Sequence, residues 1–301
     1  MLFLFLILVV GSARSTSAAC PQNLDDCLGA AVGYGIVADR LLATRGIIFE
    51  RGEGQSDFGA SIGASCASQA RMIGGYDCVT EVQGDLVVTA ADGYAAVFSL
   101  TGCAPEGGSP GVRILGDLVT GGSLLKGPTV VQVNGMIDTS GTDPRVGTCA
   151  QALSDMHSAS ATLAALTPTR NLGAVRAEPL GEWSITLAAD PGVNVWTASE
   201  LTAPTRPRYP SHDPTQIVIA LDPATESVII NVDKVFVDVR SAIYVSGDPD
   251  KVVLNVARTL RTKGDVIQPR ILAADGRVLV KVSAYVRQAF ASRFSIFGGY
   301  N

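Results

Sequence analysis

Short aliphatic runs separated by turn-forming residues recur along most of this 301-residue chain. Gly, Asp, Asn or Pro bounds each run, which is typical of strands joined by turns, and the runs are too short for helices. The clearest runs are residues 86–88, 130–133, 217–219, 228–230, 235–239, 252–254 and 278–282. The sequence therefore predicts a mostly β fold.

A Gly-Asp turn followed by an aliphatic strand occurs twice in nearly the same form. Residues 82–87 read Val-Gln-Gly-Asp-Leu-Val and residues 114–119 read Ile-Leu-Gly-Asp-Leu-Val, 32 residues later, and residues 264–267 echo the pattern. A turn-and-strand unit that is used repeatedly indicates the stacked coils of a β-solenoid. Chance is the competing explanation, because Gly-Asp is a common turn pair.

One segment has helical rather than strand periodicity. Residues 150–166 contain no Gly or Pro, and Pro168 follows them. Their apolar side chains recur at spacings of three and four, as on one side of a helix; these are Leu153, Met156, Ala159, Leu163 and Leu166. We therefore predict a β-helix (solenoid) with one helix packed alongside.

The N-terminus has the layout of a signal peptide. Residues 1–10 are apolar but too few to span a bilayer, and small polar residues follow up to Ala19. We expect cleavage after Ala19, which leaves residues 20–301 as a single secreted domain. A lipidated Cys20 is the alternative, but Ser17 replaces the large aliphatic residue of a lipoprotein signal. No later segment reaches the length of a membrane helix.

All six cysteines follow the expected cleavage site, and an even number in an oxidising destination predicts three disulfides. They are Cys20, Cys27, Cys66, Cys78, Cys103 and Cys149. Sequence does not fix the pairing, although short loops favour Cys20 with Cys27 and Cys66 with Cys78, which leaves Cys103 for Cys149. A zinc site is disfavoured because no Cys-x-x-Cys occurs and the chain has only two histidines.

Composition and motifs exclude several classes of function. Only 17% of residues are charged and the net charge is -5, which indicates no phosphate-binding surface and no nucleic-acid partner. Hydrolase, metalloprotease and phosphate-loop motifs are absent from the sequence, so we expect no catalytic residues, no metal and no cofactor. The carboxylates Asp233, Asp238, Asp248 and Asp250 are interpreted as solvated strand and turn residues rather than a catalytic group.

Several segments resemble the choice-of-anchor A family of secreted proteins, whose domains are similar to β-helical adhesins and ice-binding proteins. They are the turns at 84–87 and 116–119, the helix at 150–166, and residues 195–201, 253–256 and 271–278. Ala274 stands where that family usually has proline. The resemblance implies a structural lectin that binds a polysaccharide, cellulose above all, in an extracellular or cyst wall. A surface adhesin or wall-assembly protein with protein partners is the alternative.

Strand alternation identifies candidate carbohydrate-binding aromatics, because alternate side chains of a strand point to opposite faces. Valines or isoleucines that flank an aromatic in the same strand predict that the aromatic faces water, where it can stack on a sugar ring. This applies to Trp196, Phe236, Tyr244 and Tyr285. Partial burial of the same four rings against a neighbouring coil or loop is the alternative.

Two further features complete the sequence-based hypotheses. Phe290, Phe294 and Phe297 have helical spacing and predict a short amphipathic helix that caps the open end of the solenoid, or else a docking patch. Ice binding needs a flat and regular row of Thr or similar residues. Because no regular Thr-x-Thr ladder occurs, the sequence does not favour it.

Overall fold

The protein is described from a computed structural model over residues 20–44, 65–74, 80–82, 84–90, 96–100, 112–122, 124–126, 131–177, 184–205, 215–264, 266–281 and 284–297. These residues form a β-helix of parallel strands with one long helix packed alongside, which confirms the predicted fold class. The predicted signal peptide, Cys78, Cys103 and Asp265 lie outside the described residues.

The helices are α1 (Leu24–Leu28) and α2 (Pro144–Ala164). Short 3-10 helices cover Gly29–Gly33 and Pro249–Lys251. The strands are β1 (Ile36–Thr44), β2 (Ser65–Gly74), β3 (Thr80–Val82), β4 (Leu86–Val88), β5 (Ala96–Leu100), β6 (Val112–Ile114), β7 (Leu118–Thr120), β8 (Leu124–Lys126), β9 (Val131–Val133), β10 (Ile137–Asp138), β11 (Arg170–Arg176), β12 (Ser184–Ala188), β13 (Gly192–Ala203), β14 (Thr215–Ala220), β15 (Thr225–Val237), β16 (Ser241–Ser246), β17 (Val252–Thr262), β18 (Val266–Ile267), β19 (Arg270–Lys281), β20 (Tyr285–Val286) and β21 (Ala289–Phe297).

The strands stack into three parallel sheets. A 13-stranded sheet has the order β10-β7-β4-β2-β1-β21-β19-β17-β15-β13-β11, with β5 and β8 attached through β2. The other two sheets are β12-β14-β16-β18-β20 and β3-β6-β9. In the C-terminal half, each coil combines one long strand of the large sheet with one short strand of the five-stranded sheet.

The long strands present two different surfaces because their inward-facing phase changes along their length. In β15, Ile229 points towards α2 while Ile230 points into the interior, and Val235 is again interior. Register shifts lie between these two parts, as between Val232 and Lys234, and irregularities of this kind bend a strand. The first parts of the long strands together form a surface of the large sheet that α2 covers, which we call the helix face. The surface formed by their second parts is called the second face. The strands β12, β14, β16, β18 and β20 form the third face.

The route of the chain explains why the helix is needed. The chain starts in the middle of the large sheet at β1 and builds coils towards β10. Helix α2 then carries it back along the solenoid, and the remaining coils grow from β11 to β21. The last strand, β21, pairs in parallel with β1, with Ile36 opposite Ala289 and Thr44 opposite Phe297. The first and last strands of the described chain therefore meet in the middle of the large sheet.

Two hydrophobic layers hold the solenoid together. Inside the coils, in-register interior positions are filled with apolar side chains such as Leu201, Val235, Leu260, Val278 and Phe294. Outside, the helix face packs against one side of α2, which contributes Cys149, Ala152, Met156, Ala159 and Leu163. Strands on the helix face are thus apolar on both sides, as expected for parallel sheets that are covered on both faces.

Helix α2 begins earlier than its periodicity predicts. Asp143 caps it by accepting a hydrogen bond from the Arg145 amide at 2.8 Å, and Pro144 is the first helical residue. Proline fits there because the first helical amide has no partner in the helix. Near the other end, Asn255 donates through Nδ2 to the Ser160 carbonyl at 3.2 Å, while Asn231 donates to that of Leu163 at 3.0 Å.

The repeated Gly-Asp turns stack on one another, as the repeat predicts. Asp85 Oδ1 accepts a hydrogen bond from the Asp117 amide at 2.8 Å, and Asp117 Oδ1 accepts one from the Met136 amide at 2.7 Å. A side chain at Gly116 would collide with Gly84 and Asp85. Glycine at this corner therefore allows successive coils to approach closely.

The disulfides differ from the favoured local pattern. Cys20 is bonded to Cys27, but Cys66 is bonded to Cys149 of α2 rather than to Cys78. The predicted pairs Cys66–Cys78 and Cys103–Cys149 are therefore wrong. The physical reason is that α2 packs on β2, so residues 83 positions apart in sequence become neighbours.

The C-terminal phenylalanines lie on a strand and not on a helix. Phe290 contacts the α2 side of the sheet and Phe294 points into the interior, where both are buried. Their strand β21 lies between β1 and β19, in the middle of the large sheet. The predicted terminal cap is therefore wrong, and so is the alternative of an exposed patch at Phe290 and Phe294.

Candidate binding faces

Two of the three surfaces are open for binding in the described part of the C-terminal half. The helix face is covered by α2, whereas the second and third faces have no covering element among the described residues. Both are parallel sheets, in which in-register side chains of neighbouring strands form columns with a spacing of about 4.8 Å within each column. The residue types in these columns determine what each face can contact.

The third face carries small or uncharged side chains. Its three best-ordered columns run across β12, β14 and β16 and continue in part onto β18 and β20. The residues in the outward phase are Ser184, Gln216, Ala242, Val266 and Tyr285 in the first column, Thr186, Val218 and Tyr244 in the second, and Ala188, Ala220 and Ser246 in the third; of these, Ala242 is completely buried. None of these residues is charged.

The backbone keeps the third face regular. The pairs β12–β14 and β14–β16 run without a register shift over five and six residue pairs. The inward side chains Leu187, Ile217, Ile219 and Ile243 belong to the interior cluster and are nearly or completely buried. The outward side chains therefore stand on a continuous hydrogen-bonded sheet that is supported from below.

Polar groups at the border of the third face are already engaged. Gln268 accepts a hydrogen bond from the Val245 amide at 2.8 Å through Oε1. The charged Arg287, which follows β20, pairs with Asp250 at 2.7 Å. Asp250 also pairs with the buried Arg270 at 3.0 Å, and Arg270 reaches Asp25 as well. The charged groups at this border are therefore paired with one another.

The second face is charged. Its first column contains Glu200, Lys234, Thr259, Arg277, Arg293, Arg40 and Gln69 in register across seven strands. The next column contains Thr202, Phe236, Arg261, Leu279, Ser295, Leu42 and Arg71. The two open faces therefore differ in chemistry: one is uncharged and the other is rich in arginine.

The four predicted aromatics do not form one surface. Trp196 is only 1% exposed and belongs to the interior cluster, so its predicted exposure is wrong. Val195 on the same strand packs against α2, so the flanking valines mark the helix face and not the interior. Phe236 lies on the second face, whereas Tyr244 and Tyr285 lie on the third, with Tyr285 40% exposed. No continuous aromatic row results from these four residues.

The carboxylates that the sequence predicts to be solvated strand and turn residues lie in ion pairs or capping bonds. Asp233 is near Arg258, Asp238 is near Lys263, and Asp248 caps a 3-10 helix by accepting from the Asp250 amide. Among the described residues, no group of three or more His, Cys, Asp or Glu side chains is placed to hold a metal. None of the described helices combines the length and apolar character needed to cross a membrane.

The strongest electrostatic cluster lies at the start of α2. Arg145 donates to Asp85, Asp117 and Asp143 at 3.1, 2.7 and 2.9 Å. Its hydrogen bonds lower the pKa of the Asp117 and Asp143 carboxyls, and the Met136 amide adds to the effect on Asp117. The cluster links α2 to the stacked Gly-Asp turns, and these contacts show that its role is structural.

Apart from Tyr244 and Tyr285, the outward residues of the third face are not among the candidates predicted from the sequence. Ile217 and Ile219 on β14 occupy alternate positions and point inwards, and so do Ile243 and Val245 on β16. The residues between them therefore point outwards. The residues between them are Val, Ala, Ser, Thr and Gln as well as Tyr, and no single residue type recurs. A search for aromatic residues or for Thr repeats therefore does not find this face.

Comparisons with known proteins return matches only among solved structures. No family model and no curated protein matches the chain. An ice-binding protein of the Antarctic ascomycete Antarctomyces psychrotrophicus is 14% identical, with 89% of this chain and 93% of that chain covered and a TM-score of 0.44. An ice-binding protein from an Arctic yeast is 13% identical, with coverage of 89% and 90% and a TM-score of 0.42. The DUF3494 domain of a Shewanella frigidimarina ice-binding protein is 13% identical, with coverage of 89% and 92% and a TM-score of 0.40.

These findings correct the functional predictions made from the sequence. The matched structures are ice-binding proteins, and no choice-of-anchor A model matches the chain. The predicted family, the cellulose-binding wall lectin, the polysaccharide partner and the alternative of a surface adhesin are therefore wrong. The placement of Trp196 inside the solenoid removes one of the four rings on which the lectin hypothesis depended.

Proposed function

We propose that this protein is a secreted, non-enzymatic binder of ice and that the third face is its contact surface. The observation that carries the proposal is the uncharged, in-register set of outward side chains on β12, β14 and β16. The two disulfides support a chain that folds in an oxidising compartment, as secreted proteins do.

Ice presents a flat, rigid array of water molecules, so a protein that adsorbs to it needs a flat and rigid surface. On the third face, neighbouring side chains within one column are about 4.8 Å apart, and neighbouring columns are about 6.6 Å apart along the strands. Five adjacent strands span about 19 Å at that spacing. A sheet of this size that is held by parallel hydrogen bonds provides a regular platform rather than a mobile loop.

The absence of charge from these outward positions matters because charged groups hold their own hydration shells. Stripping water from a charge is costly unless a partner replaces it, and ice offers only water molecules in fixed positions. Methyl groups and hydroxyls, such as those of Thr186, Val218, Ala220 and Ser246, carry a much smaller penalty. The third face therefore suits ice better than the arginine-rich second face does.

The third face also departs from an ideal ice-binding surface. Thr186 is the only threonine among its described outward residues, and Tyr244 and Tyr285 interrupt the small side chains. We therefore expect moderate activity, seen as slowed recrystallisation and retention on ice, rather than strong depression of the freezing point.

A charge placed at the centre of the third face tests the proposal. Val218→Lys projects from the middle column of β14 while its inward neighbours Ile217 and Ile219 stay unchanged. The matched control is Ser154→Lys on the exposed side of α2, which adds the same charge on another surface. The measurement is the fraction of protein that enters a slowly growing ice hemisphere, with recrystallisation of fine-grained ice as a second readout.

We expect the wild-type protein and Ser154→Lys to be retained in ice to the same extent. Val218→Lys should need an at least about tenfold higher concentration for the same effect, which corresponds to about 1.4 kcal/mol. Retention of Val218→Lys at the wild-type level would exclude the third face as the contact surface. Exclusion of the wild-type protein from ice would contradict ice binding itself.

A further inference from the structure

Five arginines line up across the second face, one on each of five adjacent strands. They are Arg261 on β17, Arg277 on β19, Arg293 on β21, Arg40 on β1 and Arg71 on β2. We call them the arginine stripe. Arg277, Arg293 and Arg40 are in direct register, and Arg261 and Arg71 lie two residues further along their strands at either end.

The stripe brings like charges together without a counter-charge among the described residues. All five side chains are exposed, and no ion pair within the described part of the chain involves them. The hydrogen bond found for them is from Arg277 Nε to Thr259 Oγ1 at 3.4 Å. Like charges directly opposite each other on neighbouring strands destabilise a sheet. The arrangement therefore calls for an anionic partner.

The surface next to the stripe is a groove rather than a plane. A cavity of about 450 Å³ is lined by Arg40, Arg71 and Arg293 together with Gln69, Ser295 and Leu42. Gln69 and Ser295 add hydrogen-bonding groups beside the guanidinium groups. A depression that contains three of the five arginines fits a chain molecule better than it fits a flat membrane surface.

We propose that the arginine stripe binds a linear polyanion with closely spaced phosphate groups, of which inorganic polyphosphate is the simplest. Guanidinium groups bind phosphate oxygens with two hydrogen bonds each, which suits a row of arginines rather than lysines. The stripe spans about 19 Å at the usual strand spacing of about 4.8 Å. This site is separate from the third face, so the proposal is independent of ice binding.

Other linear polyanions fit the stripe less well. An extended acidic peptide places carboxylates on one side about 6.6 Å apart, which is wider than the spacing between strands. Single-stranded nucleic acid is bound through aromatic rings between basic residues, and none of the five stripe strands presents an aromatic side chain in the two outward columns. A densely charged chain without bases matches the stripe more closely.

The net charge of -5 conceals this surface, because it averages over the whole chain. The five arginines are scattered between positions 40 and 293 of the sequence, and they meet only because β21 pairs with β1. This proposal therefore replaces the expectation, based on composition, that the protein has no phosphate-binding surface.

The test uses the purified, oxidised protein and end-labelled long-chain polyphosphate, with fluorescence anisotropy at low and at physiological salt. The stripe variant is Arg40→Gln with Arg293→Gln, which removes two adjacent charges. The matched control is Arg240→Gln with Arg258→Gln, which removes two exposed charges outside the stripe. Orthophosphate, a poly-glutamate peptide and single-stranded DNA serve as competitors.

We expect the stripe variant to bind at least about 25-fold more weakly, at about fivefold for each arginine near an anionic surface, and the control to change by less than about threefold. Binding should fall steeply as salt rises, because counterions are released from the polymer. Equal losses in the two variants, no binding at low salt, or stronger competition by DNA or poly-glutamate than by unlabelled polyphosphate would each overturn the proposal.

Thermal unfolding of the free variants gives a second readout. If the stripe is a binding site, the loss of two repelling charges should leave the melting temperature equal to that of the wild type or raise it. A lower melting temperature for Arg40→Gln with Arg293→Gln, but not for the control, would mean that these arginines are structural and would also overturn the proposal.

Discussion

At the scale of single residues, the position of Trp196 shows how a covered face changes the meaning of strand alternation. Val193 and Val195 precede it on the same strand, and alternation from these valines places the ring outside. In the structure these valines lie under α2, and the ring points into the interior cluster. The guanidinium of the exposed Arg170 lies 5.8 Å from the centre of the ring. The strand is apolar on both sides, so alternation alone does not tell inside from outside.

Truncation of Trp196 should therefore reduce stability rather than binding. We expect Trp196→Ala to lower the free energy of unfolding by about 3–5 kcal/mol, because it removes a large buried side chain and leaves a cavity. Tyr285→Ala, at a 40% exposed position, should change it by less than about 1 kcal/mol. Urea denaturation followed by circular dichroism distinguishes the two, and similar losses in both variants would contradict the assignment.

The Arg145 cluster should make stability depend on acid pH. The pKa values of Asp117 and Asp143 are lowered, chiefly by hydrogen bonds from Arg145, below the ordinary value of 3.8. A carboxyl with a lowered pKa in the folded state contributes stability that is fully present above its unfolded pKa and is lost as the pH falls through the folded pKa.

We therefore expect the wild-type melting temperature to fall as the pH drops through and below about 4. Arg145→Gln should have a lower melting temperature at pH 7 and a smaller further decrease on acidification. Parallel pH profiles of the wild type and the variant, measured by scanning calorimetry, would show that the cluster does not contribute in this way.

At the scale of secondary-structure elements, α2 depends on a covalent link as well as on packing. The Cys66–Cys149 disulfide joins β2 to α2 across 83 residues, whereas Cys20–Cys27 closes a loop of only seven. In the chain-entropy model, the longer loop contributes about 4.5 kcal/mol and the shorter about 2.4 kcal/mol.

Paired alanine substitutions test this difference. Cys66→Ala with Cys149→Ala should lower the free energy of unfolding by more than Cys20→Ala with Cys27→Ala does, by about 2 kcal/mol. Denaturant unfolding of both double variants under oxidising conditions measures the difference. Equal stability would mean that packing of Met156 and Leu163 already fixes α2 on the sheet.

At the scale of the whole molecule, β21 joins two halves of the solenoid whose coils are added in the same direction along the large sheet. It pairs with β1 of the N-terminal half and with β19 of the C-terminal half. Phe290 and Phe294, both buried, contribute to the two hydrophobic layers. The first and last strands are thus located at the centre of the large sheet, where coils from both halves meet.

Removal of residues 289–301 should therefore unfold more than the C-terminus. We expect loss of a single cooperative unfolding transition and exposure of apolar surface to a hydrophobic dye, because the interior columns of β1 and β19 lose their neighbour. Arg293→Gln, which leaves β21 in place, is the matched control. A truncated protein that still unfolds in one transition at the wild-type temperature would contradict this role of β21.

The sequence by itself determined the class of fold and its repeating unit. The short aliphatic runs predict strands, the Gly-Asp pairs predict stacked turns, and the periodicity of residues 150–166 predicts the one long helix, because all three depend on neighbours in sequence. Only the tertiary structure decided which strand faces α2 covers, that Cys66 pairs with Cys149, that Phe290 and Phe294 lie in a central strand, and that scattered arginines form one stripe. These features depend on contacts between residues far apart in the chain, and local periodicity carries no information about such contacts.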